Sequence, residues 1–174
     1  SSLDLLRKEF SQTIKDDIIL PFNYMKRHEI SSGRIKSIID DFSSLRVCVV
    51  GDLIVDEYIT CEPLGMSQED PTIVVTPVDT TRFIGGAGIV AAHAAGLGAE
   101  VELITVVGND SSHTFAENKL SEFGVTTSLI VDDSRPTTVK QRFRSKGKTL
   151  LRVSHLHQST ISPSFQSIFL KNVK

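Results

Sequence analysis

The run Phe83-Ile84-Gly85-Gly86-Ala87-Gly88-Ile89-Val90-Ala91-Ala92-His93-Ala94-Ala95-Gly96-Leu97-Gly98-Ala99 restricts this chain more than any other stretch. Glycine tolerates positive φ and lets another group come close to the backbone. Alanine loses no side-chain entropy in a helix and allows that helix to lie close to its neighbour. The run therefore predicts a glycine turn feeding a helix over residues 89–97 that packs tightly on a sheet. The N–H groups at the start of such a helix have no partner within it and can receive oxygens from a ligand. In its plainest form the run is a tight turn before a close-packed helix, so a binding role needs a second element to meet it. His93, inside the alanines, reads as a packed core histidine.

The flanking pattern supplies the sheet. Arg46-Val47-Cys48-Val49-Val50 is a short β-branched run ended by Gly51-Asp52 and reads as a buried parallel strand, with Cys48 as a small buried hydrophobe. Residues 58–61 and 72–78 read as two further strands around the polar loop of residues 65–71. Beyond the glycine helix, residues 101–107 and 125–131 are apolar strands. Between them Asp110 caps a helix carrying Phe115, Leu120 and Phe123, which Gly124 closes. Strand, helix, strand, helix, strand implies a parallel sheet with crossover helices. Residues 137–144 and 149–153 alternate like a hairpin, and Ser162-Pro163 opens a last helix.

Residues 1–45 differ in character from the rest of the chain. Leu3, Leu6, Phe10 and Ile14 share a helical stripe, Pro21 interrupts, and Ile35, Ile38, Ile39 and Phe42 form a second stripe that Ser32 can cap. This part reads as a helical leader or the tail of a preceding domain, and residues 46–174 as the main domain. The 174 residues are 40% hydrophobic and 23% charged with net charge −2, which argues against nucleic acid as the main partner. No run approaches the roughly 18 apolar residues of a membrane span, so no membrane partner is expected. Two cysteines make no disulfide framework, and the cytoplasm is the expected compartment.

Several constellations bear on chemistry. Gly86-Ala87-Gly88-Ile89-Val90-Ala91 fits a dinucleotide fingerprint, but that fingerprint belongs directly after the first strand, and Gly51 lies 35 residues earlier. His155 and His157 have metal-binding spacing without a third ligand, so no metal site is expected. Asp56 lies just past the end of the first strand, where α/β folds bind ligands, and one carboxylate accepts from two sugar hydroxyls. Asp52 reads as a turn residue.

Six segments in order resemble the ribokinase-like (PfkB-type) carbohydrate kinases, and within them the heptose-7-phosphate kinases of bacterial ADP-heptose synthesis. They are residues 49–58 with Gly51-Asp52 and Asp56, Ser67-Gln68-Glu69-Asp70-Pro71, residues 83–90, Val106-Val107-Gly108-Asn109-Asp110, residues 134–142 with Arg135-Pro136-Thr137, Lys140 and Arg142, and Leu150-Leu151-Arg152-Val153. The resemblance implies an α/β three-layer sandwich with a mostly parallel sheet and a small β-lid over the sugar. It implies transfer of the ATP γ-phosphoryl group to a sugar or sugar phosphate, with Mg²⁺-ATP serving the intact enzyme and none bound by this segment alone. By the same resemblance Asp56 holds sugar hydroxyls, Gly85 and Gly86 line the sugar pocket, and Lys140 and Arg142 meet a sugar phosphate.

Two positions depart from that pattern. The family's asparagine after the glycines is replaced by Ile89, whose side chain forms no hydrogen bond. The G-x-G-D segment that carries the family's catalytic aspartate is absent from these 174 residues. No catalytic residue is therefore assigned, and the chain is expected to be the sugar-side half of a kinase, truncated on its C-terminal side. The alternative expectation is a non-catalytic sugar-binding or assembly module derived from such a kinase. Either way an open sheet edge is expected to be covered by a second copy or by a C-terminal half.

Overall fold

In a computed structural model the residues described are 21–172. The chain divides into two compact units, Ser1–Ile38 and Ile39–Lys174. The stripe expected from Leu3 to Ile14 lies outside the described residues. Helix α1, Phe22–Arg27, starts directly after Pro21, and helix α2 spans Ser32–Asp41. The cap on α2 comes from Ser31 rather than Ser32: its Oγ accepts from Arg34 N at 3.2 Å.

The larger unit holds two sheets. In the first, β1 (Arg46–Val50), β4 (Glu100–Val107) and β5 (Val125–Val131) lie parallel in the order β1-β4-β5. In the second, β2 (Leu53–Met66), β3 (Ile73–Gly86), β6 (Thr138–Ser145) and β7 (Lys148–His155) run in the order β3-β2-β6-β7. There β2 pairs antiparallel with β3 and parallel with β6, and β6 pairs antiparallel with β7. Helix α3 (Ala87–Gly96) leads from β3 to β4, α4 (Ser111–Glu122) from β4 to β5, and α5 (Pro163–Asn172) ends the described chain.

This confirms the α/β class, the parallel sheet and the hairpin of β6 and β7. That hairpin closes on Lys146 and Gly147, both with positive φ, as a two-residue loop matched to strand twist requires. The expected short strands at 58–61 and 72–78 are instead parts of two 14-residue arms. Local alternation is too irregular to reveal their length, because the register shifts at Thr60/Cys61 and again at Pro63/Gly65. Pro77 sits in β3, an edge strand, where a missing N–H is tolerated. β1 is likewise an edge strand, not a buried one. Val47 and Val49 turn toward the core while Cys48 is exposed, because alternate side chains of a strand point to opposite faces.

The core joins both sheets. Leu53 and Val55 of β2, Ile84 of β3, Ala91 of α3, Leu103 and Val107 of β4, and Leu120 of α4 form one buried cluster. Gly88 belongs to it by absence: a Cβ there would lie 2.7 Å from Leu53 Cδ1. His93 lies on the outer side of α3 and is exposed, contrary to expectation, since the alanines on the other side take the core contacts.

A polar knot ties the end of β4 to the start of β6. Asp110 Oδ1 accepts from Ser112 N at 3.0 Å and His113 N at 2.9 Å, capping α4, while Oδ2 accepts from Thr137 N at 2.8 Å. Gly108 N donates to Thr137 Oγ1 at 3.0 Å, and a Cβ on Gly108 would lie 2.5 Å from Arg135 O. The buried Asp132 accepts from Ser134 and from Arg135 Nε at 2.8 Å. Two motifs that carry the kinase resemblance thus bind each other.

Burial pushes the Asp110 carboxyl up, but the hydrogen bonds from His113, Thr137 and Ser112 outweigh it and hold it below the ordinary value. The Ser134 hydroxyl, followed by its N–H and Arg135, lowers Asp132 likewise. A depressed folded value means that the unfolded chain binds more protons, so stability rises with pH through that window. The stability these two carboxyls contribute should therefore be fully present above about pH 5 and be lost as pH drops below about 4, the ordinary aspartate value. Urea midpoints at pH 6, 4 and 3 check this, and an unchanged midpoint at pH 3 contradicts it.

Candidate functional site

Strand alternation builds the site. Leu53, Val55, Glu57, Ile59 and Cys61 face one side of β2 and are buried. Ile54, Asp56, Tyr58 and Thr60 face the other. In register with these three polar residues lie Lys140, Arg142 and Arg144 of β6, while Phe83 and Thr81 of β3 lie opposite Asp56 and Tyr58. Arg152 of β7 lies opposite Arg142. Asp79 of β3 lies opposite Thr60, so the four strands present a single face carrying two carboxylates, Asp56 and Asp79, and several cations.

Asp56 Oδ1 accepts from Arg142 Nη1, a pair whose side chains are each 21% exposed. The carboxylate raises the affinity of the Arg142 guanidinium for its proton. Gly85 lies immediately beside Asp56, and any Cβ at that position would overlap Oδ2. The aromatic ring of Tyr58 is flanked by both guanidinium groups, with the Arg142 carbon 5.1 Å and the Arg144 carbon 5.6 Å from its centroid. Phe83 meets the same ring edge-on at 5.5 Å. A cavity of about 570 Å³ is lined by Asp56, Tyr58, Thr60, Thr81, Phe83, Ile84 and Arg144.

Of the five expected substrate residues, the structure brings Asp56, Gly85 and Arg142 into contact. Lys140 is adjacent to Asp56 in register but lines a neighbouring cavity of about 540 Å³ at the ends of β1 and β4, together with Asp52, Arg135 and His157. Gly86 faces the Asp52 carbonyl and Ile54 rather than either cavity. The glycines are also not a free turn. Both are the last rungs of β3, paired with Ile54 and Leu53, and the helix begins at Ala87 rather than 89. Its first N–H is already taken, donating to Asp52 O at 2.9 Å. Arg144, Tyr58 and Thr81 were not singled out from the sequence. Extending the alternation of 140 and 142 by one more step leads to Arg144.

On the far face, Glu57 is buried and accepts from Arg82 Nε and from Gln141 Nε2, both at 2.8 Å. Gln141 Oε1 in turn meets His155 Nε2 at 3.1 Å. This chain of polar contacts crosses all four strands on the face opposite Asp56. No helix among the described residues is long and apolar enough to cross a membrane.

A three-stranded parallel sheet continued by a four-stranded β-lid, with an acid and two glycines at their junction, defines the ribokinase-like class of sugar-kinase folds. Among solved structures, a carbohydrate kinase from Agrobacterium tumefaciens superposes with TM-score 0.53 at 17% identity over 63% of this chain and 34% of that one. A ribokinase from Cryptococcus neoformans, in complex with ADP, gives 0.51 at 20% identity over 67% and 38%. The pfkB family carbohydrate kinase pattern matches residues 44–169, and the chain belongs to that family. A bifunctional protein HldE from Desulfatibacillum aliphaticivorans is 39% identical over 122 residues, 70% of this chain and 25% of that protein. A D-beta-D-heptose 7-phosphate kinase from Bordetella bronchiseptica is 43% identical over 108 residues, 62% of this chain and 34% of that protein. The chain thus spans between a quarter and about a third of the length of these relatives.

Proposed function

We propose that this chain is the sugar-binding part of an ATP-dependent carbohydrate kinase whose substrate is a sugar phosphate of the heptose 7-phosphate kind. The observation that carries the reading is the contact of Asp56 with the bare Gly85 backbone, with Arg142 holding the carboxylate from the other side. A carboxylate fixed in this way accepts from two hydroxyls of a sugar, and the missing Cβ at Gly85 keeps its second oxygen accessible. Gly86 holds the strand end that presents Gly85. Lys140 adds positive charge beside Asp56. The relatives' names supply the substrate class. Kinases of this kind bring the hydroxyl into line with the γ-phosphorus of Mg²⁺-ATP, and their catalysis is mostly positioning and charge stabilisation. No residue of this chain is assigned to that nucleotide.

Asp56→Asn keeps the hydrogen bond from Arg142 but removes the charge that hydroxyls prefer. Hydrogen bonds to a charged group contribute about 1.5–3 kcal/mol each, so the variant should bind D-heptose 7-phosphate on the order of 100-fold more weakly in calorimetry. Its circular dichroism and melting temperature should stay close to those of the wild type. Unchanged affinity removes Asp56 from the site.

A second reading, a non-catalytic sugar-binding or assembly module, is favoured by Ile89, half-buried in the first turn of α3, where the family has an amide side chain. Transfer of phosphate from ATP to heptose 7-phosphate by the whole encoded protein decides between the two.

A further inference from the structure

We propose that Arg144 is the residue that binds the phosphate of the sugar phosphate, at the opposite end of the cavity from Asp56; the proposal rests on the sugar-site reading above. Three cations of β6 share the face with Asp56, and their surroundings separate them. Lys140 lines the neighbouring cavity. Arg142 lies beside Asp56 but its charge is already matched by that carboxylate. Arg144 lines the same cavity as Asp56 and, among the described residues, makes no ion pair, whereas Arg82, Arg135 and Arg142 each have a carboxylate partner. Its Nη2 donates to the Gly147 carbonyl at 2.9 Å, while its Nε is buried with no hydrogen-bond partner.

A guanidinium held by one backbone carbonyl and packed on Tyr58 is oriented without being neutralised. Such a group suits an oxyanion, because its planar donors match a phosphate in two places at once. Spacing suits the same assignment. Arg144 is in register with Thr60, four residues along β2 from Asp56, or about 13 Å between Cα atoms at strand rise. A ligand that touches both ends has a hydroxyl-bearing body at Asp56 and an anionic tail directed along β2. Thr81, opposite Tyr58, lies on the cavity wall between them, and Thr60 lies beside Arg144, both as hydroxyl partners.

The test is calorimetry on the full 174-residue chain with three probes: D-heptose 7-phosphate, the unphosphorylated heptose and inorganic phosphate. The wild type should prefer the phosphorylated sugar. Arg144→Gln should weaken heptose 7-phosphate by about 10- to 100-fold, as loss of a charged hydrogen-bond pair implies, and leave the unphosphorylated heptose unchanged. Arg144→Lys should recover part of the loss, and both variants should melt near the wild-type temperature. If Arg144→Gln keeps the full preference, or if only Lys140→Gln or Arg142→Gln abolishes it, Arg144 is not the phosphate residue although the sugar site stands. If both sugars weaken equally in Arg144→Gln, its role is structural and the proposal fails. If the wild type binds neither sugar, the sugar-site reading fails and this proposal with it.

Discussion

Gly86→Ala should destabilise the main domain by about 3 kcal/mol or more, combining a backbone conformation closed to L-residues with a steric overlap. Gly86 has φ 57° and ψ −137°, which a residue with a Cβ reaches only under strain of about 1–3 kcal/mol. The new Cβ would also overlap the Asp52 carbonyl oxygen, the atom that accepts from Ala87 N and so anchors the start of α3. Relieving the overlap means moving the joint where β3, α3 and the β1–β2 connection meet. Against a total stability of about 5–15 kcal/mol for a domain, that is a large fraction. Gly124→Ala provides the control: φ is +74° but nothing lies within 4 Å of a Cβ, so only the conformational cost, about 1–2 kcal/mol, should appear. Urea midpoints for the two variants check the ranking. Equal losses would show that the Asp52 contact has no energetic weight.

Asp110→Ala should cost about 3 kcal/mol, because one carboxylate serves two elements. Losing the cap of α4 costs about 1 kcal/mol, and leaving the buried Thr137 N–H without an acceptor adds about 1–3 kcal/mol. Asp110→Asn separates the two: a single amide oxygen can cap α4 or accept from Thr137, not both. It should fall between the wild type and the alanine variant. Hydrogen exchange at the Thr137 amide reports the second interaction directly, and in Asp110→Ala that amide should lose protection before β4 does. The same variant should lose stability less steeply below about pH 4 than the wild type, since one of the two depressed carboxyls is gone. An acid profile as steep as the wild type's would transfer the effect to Asp132.

Much of this fold is written in local chemistry. β-branched runs mark β1, β4 and β5, Asp110 marks the start of α4, Ser162-Pro163 marks α5, and Lys146-Gly147 marks the loop between β6 and β7. These signals depend on a residue and its near neighbours, so they survive without tertiary information. Asp56 and Gly85 were also legible as a pair, because each carries a backbone or charge property with few structural uses. Cys48 and His93 were misjudged as buried. Apolar neighbours in sequence do not reveal whether a strand lies at an edge or which side of a helix meets the sheet.

The sequence by itself determined where most strands and helices occur, that a pair of glycines precedes the first crossover helix, and that an acid follows the first strand. Only the tertiary structure decided that the chain leaves the first sheet after β1 and enters the second at β2, that Asp56 meets Arg142 86 positions away, and that Arg144 makes no ion pair among the described residues. The physical reason is pairing. Which strands share hydrogen bonds, and in what register, depends on competition among segments far apart in the chain, and one residue of slip would have turned Asp56 and Arg144 to the opposite face.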